Sequence, residues 1–168
     1  AATATPIPST RSDPRSSATD SDSPEARARV VVAGGTVDEV GPNEELTTNH
    51  PDDEVVVAPD SILLPGFVNA HAHLYGVLAH GIPMGTAPDG FWPFLEDFWW
   101  PLVENRLDHD MVEAAADWVC GEMLGSGTTT FCDILEAHLC LPGVLPKEKA
   151  VEDRWGLRAV LCFAAQER

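Results

Sequence analysis

Short runs of β-branched and apolar residues open the ordered part of the chain. They predict strands at residues 28–32, 36–40 and 54–58, and Gly34 and Gly35 between the first two are typical of a tight hairpin. These strands predict part of a small, composite β-domain over residues 27–64. Residues 1–26 are rich in Ala, Ser, Thr, Pro and Asp without apolar periodicity, which predicts a disordered lead-in.

From Phe67 onward, strand and helix patterns alternate. Strands are predicted from Phe67 and at residues 128–133 and 157–163, with helices at 108–124 and 147–154. Asp108 is the expected cap of the first helix, whose apolar face would hold Met111, Ala115, Trp118, Val119 and Met123. This order predicts βα units and a parallel sheet over residues 65–168. An eight-stranded barrel needs about 200 residues or more, so we expect an α/β barrel that is incomplete in this chain.

Residues 75–107 separate the first strand from the first helix. A connection of this length predicts a functional loop or short helices. It contains a group of aromatic residues, namely Trp92, Phe94, Phe98, Trp99 and Trp100. Such groups more often form a core or a subunit interface than a pocket, so none is assigned to a substrate site.

The charge balance limits the classes of partner. With 27 acidic and 10 basic residues, the net charge is −17, which disfavours nucleic acid and anionic membranes. It is typical of an acidic protein adapted to high salt, or of a merely acidic one. No apolar run approaches the roughly 20 residues of a membrane span, and no signal-peptide pattern is present, so we expect the cytoplasm. The four cysteines show no metal-site spacing and are expected to be reduced.

His71 and His73 are the strongest candidates for chemistry. On a strand, residues two apart point to the same face, so both imidazoles would project from the carboxyl end of the strand that starts at Phe67. Sites of parallel α/β proteins assemble at that end. The pair is therefore predicted to be two ligands of a catalytic divalent metal. Two hydrogen-bonded histidines without a metal are the competing interpretation, whereas the spacing excludes a zinc finger.

Residues 64–74, which read LPGFVNAHAHL, closely resemble the first metal-binding motif of the amidohydrolase superfamily, in its deaminase and chlorohydrolase (ATZ/TRZ-like) branch. Residues 125–133 and 156–162 resemble the second and third barrel strands of that family, and residues 37–59 its preceding β-domain. The resemblance covers residues 28–168. Asn69 stands where the dihydroorotase and hydantoinase types usually carry Asp, which favours a mononuclear site.

The resemblance implies a (β/α)8 barrel that holds Zn²⁺, with Fe²⁺ as the alternative, through His71, His73, two later histidines and an aspartate. A metal-activated hydroxide would attack a carbon that bears an amino or other leaving group. The implied enzyme hydrolyses non-peptide C–N bonds, as an aminohydrolase of a nucleobase-, triazine- or guanidine-like small molecule. The catalytic acid and base would lie beyond Arg168. The alternatives to this function are a binuclear cyclic-amide hydrolase of the dihydroorotase or hydantoinase type and a catalytically inert fragment. A homo-oligomer of the full-length protein is left open.

Three further residues are candidates near the histidine pair. Tyr75 could contact substrate or pack behind the ligands. His80 occupies a position where many members of the branch carry Arg, and it is either a substrate contact or an exposed loop residue. Asp133, at the end of the second strand, could orient a metal ligand through a hydrogen bond, or cap a helix.

Overall fold

The computed structural model describes residues 16–19, 28–58 and 61–165, with the side chains of 16–19 left aside. The described residues form two compact units, one up to Leu64 and one from Pro65.

The first unit contains a four-stranded sheet in the order β3-β2-β1-β4. Its strands are β1 (Ser16–Thr19), β2 (Arg29–Ala33), β3 (Thr36–Gly41) and β4 (Glu54–Val57). β2 and β3 pair antiparallel, as the hairpin prediction requires. Gly34 and Gly35 have φ values of 56° and 76°, a conformation that is cheap only for residues without a Cβ. Helix α1 (Asn43–Asn49) precedes β4.

Strand β1 corrects the expectation for the lead-in at four residues. Residues 16–19 pair antiparallel with β2 and parallel with β4, whereas disorder was predicted throughout 1–26. Strand pairing uses backbone N–H and C=O groups, so a Ser, Ala and Thr segment without apolar periodicity can still join a sheet, here between β2 and β4. The rest of the predicted lead-in lies outside the described residues.

The second unit is built on a parallel sheet in the order β5-β6-β7. Its strands are β5 (Phe67–Ala72), β6 (Thr128–Leu135) and β7 (Arg158–Phe163). Helix α4 (His109–Gly125) connects the first two strands, and α5 (Val144–Trp155) connects the last two. The predicted βα units and parallel sheet are therefore confirmed for the described residues. This connectivity brings the carboxyl ends of all three strands to one edge.

Helix α4 begins as predicted, because the side chain of its N-cap Asp108 accepts a hydrogen bond from Met111 N at 2.8 Å. Its predicted apolar face is wrong at Trp118, which is 63% exposed. The buried stripe consists of Val112, Ala115, Ala116, Cys120 and Met123. Trp118 lies two residues from both Ala116 and Cys120, which places it on the opposite side of a helix with 3.6 residues per turn.

The segment between β5 and α4 folds into short helices, as its length predicts. A 3₁₀ helix covers Leu74–Ala79, and a second covers Glu104–Arg106. Between them, α2 (Phe91–Phe94) continues through a π-helical turn (Leu95–Trp99) into α3 (Trp100–Leu102). Proline at position 101 has no amide N–H to donate, so the regular hydrogen-bond ladder is interrupted at this point. Among the described residues, no helix has the length and apolarity to cross a membrane.

Two apolar clusters pack the helices onto the parallel sheet. One lies under the short helices and includes Tyr75, Val103, Leu107, Val112 and Leu135. The other lies between the sheet and helices α4 and α5, and includes Leu74, Ala116, Cys120, Phe131 and Val151. The four cysteines are free thiols, and two of them, Cys120 and Cys140, are buried. The clusters hold the carboxyl ends of β5 and β6 in fixed register.

Candidate metal centre

Strand β5 presents the two candidate histidines at its carboxyl end. Ala72, between them in sequence, packs against the core cluster that contains Phe131, so the histidines point to the opposite face. His71 is exposed and His73 is half-buried. The side chain of Asn69 accepts a hydrogen bond from His71 N at 3.2 Å, which supports the backbone at the first histidine.

The two imidazoles meet through their ε nitrogens. His71 Nε2 and His73 Nε2 lie 3.0 Å apart, and the rings are edge-on, with centroids 4.9 Å apart. One zinc ion binds imidazole nitrogens at about 2.0–2.1 Å, so two nitrogens at this separation can share a cation. In the absence of a cation, one proton between the nitrogens satisfies both.

The second ring nitrogen of His73 is occupied by the neighbouring strand. His73 Nδ1 lies 2.8 Å from the carbonyl oxygen of Ile134 in β6. A carbonyl oxygen can only accept, so Nδ1 carries the proton and the neutral imidazole presents a lone pair at Nε2. Backbone carbonyls hold metal-binding histidines in this way in many proteins. The donor set of the pair therefore fits a divalent cation.

Asp133 supports the chain beside His73 and does not bond to an imidazole. Its Oδ1 accepts a hydrogen bond from Leu74 N at 2.7 Å. Asp133 thus bonds to the backbone that follows His73, whereas the ring of His73 is held by Ile134, the next residue of β6. The alternative of a helix cap is wrong, since Asp133 lies within β6. Burial raises the pKa of Asp133, and the bond from Leu74 opposes that rise.

Tyr75 is buried behind His73, with the two ring centroids 5.9 Å apart. Its hydroxyl hydrogen-bonds to Glu104 Oε1 at 3.3 Å and to Glu136 Oε2. Burial and the hydrogen bond to Glu136 raise the pKa of Tyr75 well above its usual range, so the hydroxyl remains a neutral donor. Its oxygen is thereby held between two carboxylates.

A cavity of about 580 Å³ opens next to this cluster. His73, Tyr75, Glu104 and Glu136 supply its polar atoms, and its apolar lining consists of Phe91, Trp92, Phe94, Leu95, Trp99 and Trp100. Four of the five aromatic residues singled out from the sequence line this cavity, and one of them, Trp99, also packs against the core cluster that contains Tyr75, as expected. Only Phe98 is buried. The interrupted helix turns the others toward the cavity.

A larger cavity of about 810 Å³ adjoins the first and shares Trp92, Trp100 and Glu136 with it. It extends along the carboxyl ends of β6 and β7, where Leu135 and Phe163 line it, and neither His71 nor His73 does. The smaller cavity is therefore the one associated with the histidine pair.

His80 follows the 3₁₀ helix that starts at Leu74 and is exposed. It lines neither of the two cavities. Of the residues singled out from the sequence, the structure brings His73 and Tyr75 together at one cavity and places His71 against His73. Asp133 lies one residue from the carbonyl that holds His73, and His80 stays apart from this group.

The described residues supply two candidate metal ligands at this site and no larger set. Within residues 28–58 and 61–165, no group of three or more His, Cys, Asp and Glu side chains is arranged to hold a metal ion. A catalytic zinc site usually has three protein ligands. The two candidate ligands are therefore fewer than a catalytic zinc site needs.

Comparison with known proteins decides the family. The model of the amidohydrolase family matches residues 62–168, more than half of the chain. The chain belongs to the amidohydrolase family. The region matched includes the histidine pair, the parallel sheet and both cavities.

Curated relatives of this chain include several deaminases. The 5-methylthioadenosine/S-adenosylhomocysteine deaminase of Nitratidesulfovibrio vulgaris is 38% identical over 105 residues, 62% of this chain and 23% of that protein. The 5'-deoxyadenosine deaminase of Methanobrevibacter smithii is 32% identical over 139 residues, 83% of this chain and 29% of that protein. The chain thus spans about a quarter of the length of these relatives.

A solved structure shares the fold. The crystal structure of an adenosine deaminase from Xanthomonas campestris with bound zinc has a TM-score of 0.66 to this amidohydrolase. The match covers 89% of this chain and 33% of that one, at 23% identity. At this identity the likeness establishes the α/β fold alone.

Sequence reasoning missed three contributors to the site of this amidohydrolase. Ile134 acts through its backbone carbonyl, which no side-chain pattern reveals. Glu104 and Glu136 were not singled out from the sequence. Glu104 follows the aromatic run that ends at Trp100, and Glu136 follows a strand end. Glu136 directly follows β6, at the edge where parallel α/β proteins assemble sites, and that position was a usable signal.

Proposed function

We propose that this chain provides the first half of the metal centre of a hydrolytic deaminase, which acts on a non-peptide C–N bond of a heteroaromatic small molecule. An adenosine-type nucleoside is the preferred substrate class. The observation that carries the proposal is the His71–His73 pair, with its ε nitrogens 3.0 Å apart, at a cavity walled by aromatic rings. The three-stranded parallel sheet is proposed to be the start of a (β/α)8 barrel.

The metal assignment is supported by the chemistry of the donors. A divalent cation, when bound, supplies a hydroxide nucleophile at neutral pH because it lowers the pKa of water. Ile134 fixes the tautomer of His73, and Asn69 supports the backbone of His71. Zinc is proposed because a structure with the same fold contains it, and Fe²⁺ is the alternative. Asn69 in place of Asp favours a single metal ion.

The substrate class is supported by the shape and lining of the cavity. Aromatic side chains pack well against flat rings, and a volume of about 580 Å³ lies within the usual range for small-molecule sites. Glu136, which is half-buried at the cavity wall, would provide an acceptor for a hydroxyl or amino group of a ligand. Both curated relatives reported above are deaminases of adenosine derivatives, which favours a purine nucleoside over a triazine or guanidine compound.

An inert chain is the second candidate, and the two-ligand set favours it for these 168 residues taken alone. The remaining ligands and the catalytic acid and base are proposed to come from a longer form of the protein. Under this candidate the chain folds and binds a cation weakly but releases no product.

Ammonia release from 5'-deoxyadenosine, 5-methylthioadenosine, guanine and a triazine is the direct test. It uses the zinc-loaded protein in its longest natural form, beside the 168-residue chain. We expect ammonia from the adenosine derivatives with the long form only, and loss of that activity in His73→Ala. Ring opening of dihydroorotate or a hydantoin without ammonia release would contradict the proposal and support a cyclic-amide hydrolase.

A further inference from the structure

Three carboxyl groups lie buried between strand β6 and helix α5, behind the histidine pair. Asp133, Glu148 and Glu152 each have 0% exposure. In the described part of the chain, no donor other than a carboxyl group pairs with Asp133 Oδ2 or with either carboxyl oxygen of Glu148 and Glu152. Buried polar atoms without partners are costly, so native proteins pair almost all of them. This arrangement therefore requires an explanation.

The carboxyl groups of Asp133 and Glu148 face each other within hydrogen-bonding reach. Two carboxylates can only accept, so the contact is favourable only when one of them carries a proton. Burial, followed by the charge of Asp133, raises the pKa of Glu148 to about 9. Because the Leu74 amide donates to Asp133 and stabilises its charged form, the shared proton is on Glu148, which donates to Asp133. The charge on Asp133 is then shared between this bond and the Leu74 amide.

Other titratable groups surround Glu148. Glu152 faces it from the same helix, Cys120 from α4 and Cys162 from β7. Each of these is neutral or negative, and none is a basic side chain. Because none of these groups is positively charged, the surroundings favour the protonated form of Glu148.

The acid–carboxylate contact continues to the histidine pair. Asp133 Oδ1 holds Leu74 N at 2.7 Å, and the carbonyl of the next residue, Ile134, holds His73 Nδ1 at 2.8 Å. Two consecutive residues of β6 thus fix His73, one through the backbone that follows it and one through its ring. A shift of Asp133 would change both contacts together.

We propose that Glu148 is a positioning residue of the histidine pair, and that its protonated carboxyl group donates to Asp133 and so fixes the backbone after His73. The inference rests on the proposed role of His73 as a metal ligand. Glu148 touches neither substrate nor metal and acts through Asp133. The buried acid is thereby explained as part of the support of the site.

Co²⁺ affinity of the 168-residue chain tests this role, with the conservative variant as a rescue. Glu148→Gln keeps a donor toward Asp133, and Glu148→Leu removes it. We expect Glu148→Leu to weaken Co²⁺ binding about tenfold, as loss of support around a metal ligand commonly does. Glu148→Gln should remain within about twofold of the parent. Glu152→Gln, one turn later on the same helix, is the matched control and should leave the affinity unchanged.

Nuclear magnetic resonance of the unsubstituted chain keeps the proposal testable if Glu148→Leu does not fold. The ¹³C shift of the Glu148 carboxyl should report a protonated group at pH 7. As pH rises past about 9, the Leu74 amide and the His73 Nδ1 resonances should move together with that carboxyl. The proposal would be overturned if Glu148 were ionised at pH 7, or if the His73 chemical shifts did not change while Glu148 titrates. It would also be overturned if Glu148→Gln bound Co²⁺ as weakly as Glu148→Leu.

The metal role of the histidines and the positioning role of Glu148 can be refuted separately. If His71→Ala and His73→Ala leave Co²⁺ affinity unchanged, the metal role is wrong. The coupling of Glu148, Asp133 and Leu74 is still measured in the metal-free chain by the resonance titration. If the histidine variants lose Co²⁺ and Glu148→Leu retains it, the metal role stands and the positioning role is wrong.

Discussion

His73 Nδ1 and the carbonyl oxygen of Ile134 lie 2.8 Å apart, although the residues are 61 positions apart in sequence. The contact joins the carboxyl ends of β5 and β6 and determines which imidazole nitrogen is free. The free nitrogen faces His71 at 3.0 Å. The parallel sheet therefore selects the tautomer as well as the position of the second histidine, and both are needed for a shared cation.

Close packing at Gly66 gives the first prediction. A Cβ at Gly66 would lie 2.1 Å from Thr129 Oγ1 and 2.4 Å from its Cγ2, so Gly66→Ala must displace the start of β5 from β6. We expect the free energy of unfolding to fall by about 1–3 kcal/mol, measured by urea titration. Gly125→Ala is the control, because a Cβ there meets nothing within 4 Å. Equal stability of Gly66→Ala and the parent chain would show that the packing is looser than described.

Glu152 gives a prediction on pH dependence. Burial is the main cause that raises the pKa of Glu152 from its ordinary value of 4.5 to about 7. The folded state therefore holds a proton that the unfolded state releases, and its stabilising effect is complete below pH 4.5 and is lost as pH rises through 7. Glu152→Gln should flatten this fall, which amounts to about 3 kcal/mol at most. Unfolding titrations at pH 5 and pH 8 measure it.

Glu148 also makes the free energy of unfolding fall with pH, up to a higher pH than Glu152 does. The effect of Glu152 is therefore the difference between the pH profiles of the parent and of Glu152→Gln. Asp117→Asn is the surface control. Its carboxylate pairs with Arg154 and Trp155, which lower the pKa of Asp117 and give the opposite direction of pH dependence. A parallel pH profile for the parent and Glu152→Gln would refute the prediction.

The net charge of −17 gives a prediction on salt. We propose that the chain is adapted to high ionic strength, because screening relieves repulsion among excess carboxylates. Raising KCl from about 0.1 M to about 2 M should raise Tm by about 4 °C or more. Chloride is used because sulfate strengthens apolar burial by itself. A Tm that does not rise would contradict the adaptation.

Much of the second unit was predictable because its signals are local. The cap of α4 at Asp108, the threonine-rich run of β6 and the apolar run of β7 each act on adjacent residues. The hairpin at Gly34 and Gly35 was predictable for the same reason. The same-face projection of His71 and His73 follows from strand geometry and was likewise accessible.

Features that depend on distant residues were not predictable. The predicted buried face of α4 was wrong at Trp118. Its large aromatic ring favoured a core position, but the way α4 packs against α5 leaves Trp118 exposed. The role of Asp133 depends on an amide 59 positions away. The aromatic cavity depends on how an irregular helix turns its side chains. In each case the deciding contact lies outside the local window.

Zn²⁺ binding by the 168-residue chain and its histidine variants tests the central claim most directly. Equilibrium dialysis compares the parent with His71→Ala, His73→Ala and, as control, His80→Ala, an exposed histidine outside both cavities. We expect each of the first two variants to bind Zn²⁺ at least about tenfold more weakly, a loss of about 1.4 kcal/mol, with His80→Ala unchanged. Parent-like Zn²⁺ affinity in both His71→Ala and His73→Ala would contradict the assignment of the pair as metal ligands.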